Sequence, residues 1–269
     1  MSLPPLFASM EAEGWSPVGL QQAWAAIPFG SIPGALFAAS ATRSFGLRTI
    51  VAGSSILASA SIGFRSLADG IVPFSLMLAI YGFMTGLLLA TLTAAIGSWV
   101  GARRVGIAQA LFFGSYAIGA GLAVVLGGYY AEFVGWRSIC WAVAVGGLIL
   151  ATASGTLVTS ERIGSLVERP KVTRGNQLVS FRYSAAYAAY VGGYLALAGL
   201  LPYQLERWGW PAGLAGLSLA LTTATFLVGS CIWSLLTDSF GKRSIVYGVT
   251  MLLTRIIHRP GDFGLASVA

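Results

Sequence analysis

Apolar residues in this chain fall into long unbroken runs, not into alternating or one-faced patterns. Seven runs approach or exceed the length an α-helix needs to cross a hydrocarbon core about 30 Å thick. They cover 18–41, 49–64, 73–100, 106–130, 138–158, 183–203 and 212–236. Charges, Gly-Trp pairs or prolines bound them. An eighth run begins at Ser244 but meets Arg255 after about 11 residues, too short to span as a helix. The runs are too long and too little alternating for the strands of a closed barrel. The pattern predicts an all-α, polytopic membrane helix bundle. A polar stretch at 159–182 divides it into a first bundle at 1–158, a central loop at 159–182 and a partial second bundle at 183–253. The tail at 254–269, with His258, Arg259, Pro260, Gly261 and Asp262, does not continue the helical pattern.

Composition agrees with lipid as the solvent. Of 269 residues, 56% are hydrophobic and only 9% are charged. A soluble domain carries about 25% charged residues. Glycine, at 35 residues, is enriched as membrane helices allow. A soluble globule, a nucleic-acid binder and a disordered tail are excluded, despite the net charge of +7. Cys140 and Cys231 both sit inside apolar runs and read as small buried hydrophobes, not as a disulfide pair. The segment 1–13 lacks a basic start and contains Glu11 and Glu13, so it does not read as a signal peptide.

The distribution of charge gives an orientation. Alternate loops hold Arg43 and Arg48, then Arg103 and Arg104, then five basic residues at 159–182, then Lys242 and Arg243: 11 in all. The opposite loops hold Arg65, Arg137 and Arg207, only 3. The positive-inside rule places the rich side in the cytoplasm of a cell membrane and the N-terminus outside. Trp15, Trp136, Trp208 and Trp210 fall in the predicted outer loops, where indole rings anchor in the headgroup layer.

An internal repeat gives the chain a symmetry. Setting Gly14-Trp15 against Gly209-Trp210, an offset of 195, aligns 14–53 with 209–248 without a gap. Twelve of those 40 positions are identical, among them Gly34 with Gly229, Thr42 with Thr237, Ser44-Phe45-Gly46 with Ser239-Phe240-Gly241, and Arg48 with Arg243. Both copies read as an outer turn, a helix inward, a basic loop and a helix outward. Parallel repeats of this kind imply a transporter with a central pathway between its halves.

The loop of the second copy, Thr237-Asp238-Ser239-Phe240-Gly241-Lys242-Arg243, resembles the cytoplasmic loop motif of the major facilitator superfamily, G-x-x-x-D-[RK]-x-G-[RK]-[RK]. Asp238, Gly241, Lys242 and Arg243 match. Ser234 stands where the motif has its leading glycine, and Ser239 where it has a basic residue. The first copy keeps Gly46 and Arg48 but has Arg43 in place of the acid. Arg103-Arg104-Val105-Gly106 resembles the arginine-rich entry to the family's fifth helix, and Gly135-Trp136-Arg137 the turn before its sixth. The resemblance extends to about Leu253 and maps the seven spans onto family helices two to eight. The outer end of the first helix falls near 3–12, and the run from Ser244 is a stub of the ninth. An interrupted reading frame near Thr254 is therefore expected, and with it an inactive fragment.

What the resemblance implies is alternating access for a small-molecule substrate, with or without a coupling ion and without a cofactor. The motif loops would act as a conformational latch formed by Asp238, Gly241, Lys242, Arg243, Gly46 and Arg48. Solvated loop charge at Asp238 and topology-setting charge at Arg43 and Arg48 are the competing readings. Tyr183, Tyr187, Tyr190 and Tyr194 follow at steps of 4, 3 and 4, which places them on one helix face. In the family this helix lines the central cavity. Tyr187, Tyr190 and Tyr194 are thus candidate substrate contacts, with helix packing as the alternative. Gln109, Phe113 and Tyr116 form a second face, where Gln109 avoids lipid and Gln109 and Tyr116 are candidate contacts. Ser218, Thr222, Thr225 and Gly229 repeat the spacing and serve either packing or the pore. Ala123-Val124 replaces the Gly-Pro pair of the family's antiporter motif, and Gly82 replaces the arginine frequent in its fourth helix. No ionisable residue lies deep in a complete span, which favours a neutral or weakly polar substrate. No metal-ligand spacing, phosphate loop or nucleophile elbow is present in the sequence, so an enzyme is not expected. A seven-helix receptor, a membrane-embedded enzyme and a non-functional remnant are the alternatives.

Overall fold

The computed structural model describes residues 6–100, 104–158, 201, 204–205, 207–210 and 212–240. Among them the secondary structure is entirely helical. The elements are α1 (Phe7–Ala12), α2 (Pro17–Phe45), α3 (Leu47–Phe64), a 3-10 turn (Arg65–Leu67), α4 (Ile71–Trp99), α5 (Val105–Leu157) and α6 (Ala212–Phe240). Four segments are long and apolar enough to cross a membrane: Pro17–Phe45, Leu47–Leu67, Ile71–Trp99 and Phe133–Leu157. The predicted spans at 106–130 and 212–236 are also helical, in the first part of α5 and in α6. The predicted span at 183–203 lies almost wholly outside the described residues, and the run from Ser244 entirely so.

Local signals set the helix ends. Ser16 accepts a hydrogen bond from the Gly19 amide at 3.3 Å, and Pro17 occupies the first turn, where its missing N–H costs nothing. α2 ends at Gly46, whose φ of 82° an L side chain would resist. Pro28 and Pro33 lie inside α2, as membrane helices tolerate. α5 is two helical arms, 105–134 and 136–157, separated by Gly135 at φ 74° and ψ 154°. The Gly-Trp-Arg sequence predicted as a turn is this break. Hydroxyls inside the helices are satisfied locally: Ser59 bonds the Ser55 carbonyl, Ser61 that of Ala58, and Thr93 that of Leu89. In lipid, a hydroxyl left without such a partner would be costly.

Two seams organise the first bundle. α2 and α4 run parallel and meet backbone to backbone. A Cβ added at Gly30 would collide with the Ala79 carbonyl, at Gly34 with that of Phe83, at Gly82 with that of Ile27, and at Gly86 with that of Ser31. α3, which connects them in the sequence, runs the other way and pairs antiparallel with the second arm of α5. There Gly63 faces Trp141, Gly147 faces Ser59, and Gly155 faces Ala52. The first arm of α5 packs on α6 instead, with Gly114 receiving Leu227.

Candidate functional site

The loop predicted as a latch lies at one end of the bundle. Gly46 turns the chain from α2 into α3, its amide still bonded to the Thr42 carbonyl at 2.9 Å. Two residues on, Arg48 Nε donates to the Gly155 carbonyl at 2.6 Å. Gly155 is in the last turn of α5, where carbonyls lack helical partners and the helix dipole is negative. Thr42 Oγ1 and Thr91 Oγ1, 3.2 Å apart, tie the same end of α2 to α4. Arg43 is exposed in the last turn of α2. Arg48 is thus a tie between helices as well as a loop charge. Arg48→Ala is expected to lower the thermal unfolding midpoint in detergent modestly, by about 0.3–1 kcal/mol of stability, while Arg43→Ala leaves it unchanged. An equal effect of both would remove the special role of Arg48. In the second copy, Asp238 falls in the last turn of α6, and Gly241, Lys242 and Arg243 lie outside the described residues.

The predicted cavity is described on one wall only. Gln109 is half-buried on the first arm of α5, and Tyr116 follows two turns later in the same helix. Tyr187, Tyr190 and Tyr194 lie outside the described residues, so their relation to Gln109 and Tyr116 does too. Of the stripe on α6, Thr225 is exposed and bonds back to the Leu221 carbonyl at 2.8 Å, Thr222 is exposed, and a Cβ on Gly229 would meet nothing within 4 Å. Among the described residues, Leu227 reaches the first arm of α5 at Gly114.

The family model of the Major Facilitator Superfamily matches residues 1–184. The chain belongs to this superfamily. No curated protein and no solved structure matches it. Major facilitators are membrane transporters, and the four membrane-length helices agree with a multi-pass bundle of this kind.

In this major facilitator the opposite end of the bundle holds what sequence reading missed. Leu6, which caps α1, and Phe7 and Met10 within it are buried against Leu20, Phe74, Leu78, Trp136 and Cys140. Trp15, Phe74 and Trp136 form a mutually tilted cluster with ring centroids 5.3–6.2 Å apart. Trp136 is 0% exposed, so it is a core residue and not the headgroup anchor expected of it. Trp208 and Trp210 are exposed, as anchors would be. Arg137 Nη1 pairs with Glu13 Oε2, its Nε donates to the Ser66 carbonyl at 3.2 Å, and its Cζ lies 4.6 Å from the centre of the Trp136 ring. Arg65 is buried, although it reads in the sequence as a boundary charge. Both cysteines are free thiols, Cys140 buried and Cys231 half-buried. The glycine seam was legible in principle, because Gly30-x-x-x-Gly34 and Gly82-x-x-x-Gly86 are small-residue pairs at helix-contact spacing.

Proposed function

We propose that this major facilitator moves a small, neutral or weakly polar solute by alternating access, with its substrate site between two helix bundles. The family match carries this reading, and the parallel repeat at an offset of 195 supports it. The bundles are 1–158 and 183–253, joined by 159–182, with 254–269 outside them. Tyr187, Tyr190 and Tyr194 supply ring surface and hydroxyls on one wall, and Gln109 and Tyr116 supply polar groups on the other. Asp238, Gly241, Lys242 and Arg243 pair in function with Gly46 and Arg48 as the two latches, one per repeat. The basic loops face the cytoplasm of a cell membrane.

The test is uptake by the full chain in proteoliposomes against a panel of uncharged solutes, with and without an ion gradient. Tyr190→Phe is expected to reduce uptake of the accepted solute several-fold at unchanged abundance. A parallel fall in abundance would make the tyrosine face a packing surface. Absence of uptake for every solute would count against the transport reading for this chain.

A further inference from the structure

We propose that Arg65 is the cationic centre of an oxyanion subsite at the Glu13–Arg137 end of the bundle, built to take a phosphate group. Arg65 opens the 3-10 turn that closes the second span, and it is 3% exposed. Its Nε donates to Cys140 Sγ at 3.4 Å. A neutral thiol is a weak acceptor and brings no compensating charge. A guanidinium withdrawn from water is strongly disfavoured unless an anion accompanies it, and an ionisable residue buried in a membrane protein marks a site.

Among the described residues, the acids near this end do not supply that anion. Glu13 is taken by Arg137. Asp69 is exposed and forms no ion pair among the described residues, and Glu11 forms none either, its Oε1 being buried without a hydrogen-bond partner.

A second observation is independent of Arg65. The Trp136 side chain is fully buried, and its Nε1 has no hydrogen-bond partner. Trp136 and Cys140 are four residues apart on one face of α5, so the unpartnered indole donor and the thiol that Arg65 touches belong to the same helical turn. Arg137 brings a second guanidinium beside them, over the Trp136 ring. The turn thus holds a buried donor, Trp136 Nε1, that no acceptor among the described residues meets. A tetrahedral oxyanion suits these groups, since a guanidinium fork binds two of its oxygens and an indole N–H a third. The position at the end of a span is also the depth of lipid phosphates. The same chemistry is offered by a headgroup phosphate and by free inorganic phosphate.

The experiment uses the full chain in an uncharged detergent. Thermal unfolding is followed while either phosphatidylglycerol or inorganic phosphate is added, with chloride at equal ionic strength as the control. Wild type is expected to gain several degrees with a phosphate-bearing probe. Arg65→Gln should lose the gain, and Arg65→Lys should keep part of it, because the charge remains while the fork is lost. A gain with phosphatidylglycerol alone assigns the lipid headgroup, and a gain with inorganic phosphate assigns the free anion. Should Arg65→Gln not fold, native mass spectrometry of wild type against Arg65→Lys decides, with retained phosphatidylglycerol or phosphate expected to be several-fold higher in wild type. No gain from either probe in wild type, or an equal gain in Arg65→Gln, overturns the proposal. So does equal destabilisation by Arg65→Gln and Glu132→Gln without any probe effect, which would make Glu132, four residues before Trp136, the partner of Arg65.

Discussion

Gly34→Ala is expected to destabilise the protein by about 1–3 kcal/mol, whereas Gly53→Ala is expected to leave it unchanged or slightly more stable. Both substitutions add one methyl group to a membrane helix. At Gly34 the methyl would meet the backbone of α4 at Phe83 and Leu87, which has no rotamer to yield. At Gly53 it would meet nothing within 4 Å, and alanine favours the helix by about 1 kcal/mol. Relief at Gly34 requires α2 and α4 to separate, which loosens Gly30, Gly82 and Gly86 as well. Gly82→Ala should therefore behave like Gly34→Ala, and the double variant should cost less than the sum, because the first separation accommodates the second methyl. Equilibrium unfolding in mixed micelles measures all four proteins. Equal stability of Gly34→Ala and Gly53→Ala would mean that the seam is looser than its geometry implies.

Trp136→Ala is expected to cost about 3–5 kcal/mol, in the range for a fully buried aromatic ring. The ring meets Trp15 and Phe74 edge-on and underlies the Arg137 guanidinium. Its loss undoes the cluster that holds α1 to the other helices. Trp136→Phe keeps an aromatic edge and removes an N–H that has no partner, so its cost should be much smaller. The exposed Trp208 is the control, and Trp208→Ala should be near neutral. Unfolding midpoints and near-ultraviolet circular dichroism read the series. A cost for Trp136→Ala no greater than for Trp208→Ala would remove Trp136 from the core.

Helix positions were legible because the bilayer selects on length and apolarity, both of which are local. The predicted 49–64 and 73–100 became Leu47–Phe64 and Ile71–Trp99. The predicted 18–41 extends to Phe45, because Thr42, Arg43, Ser44 and Phe45 continue the helix until Gly46 stops it. Partnership between helices was less legible. Gly30 and Gly34 announce close approach to something, but only the fold shows that α4 is the partner. Burial of charge was not legible at all. Arg65, at the end of an apolar run, has the same local signature as a boundary residue, and the thiol it meets comes from 75 residues later in the chain, at Cys140. For the site, sequence placed Gln109 and Tyr116 on one helix, as observed, and assigned Arg48 to a loop whose hydrogen bond to Gly155 it could not foresee. The tyrosine face and most of the second latch lie outside the described residues.

The parallel contact of α2 with α4 also sets a timetable for synthesis. Gly34 and Gly86 are 52 positions apart, with all of α3 between them. At translation rates of about 5–20 residues per second, roughly 3–10 s separate the emergence of the two. Throughout that interval α2 has no α4 to close against, and its Pro28, Pro33 and glycine groove face lipid or the insertion machinery. α2 is therefore the segment that quality control meets first in an unfinished state. Substitutions along its groove should shorten the life of the nascent protein before they alter anything measurable in the finished one.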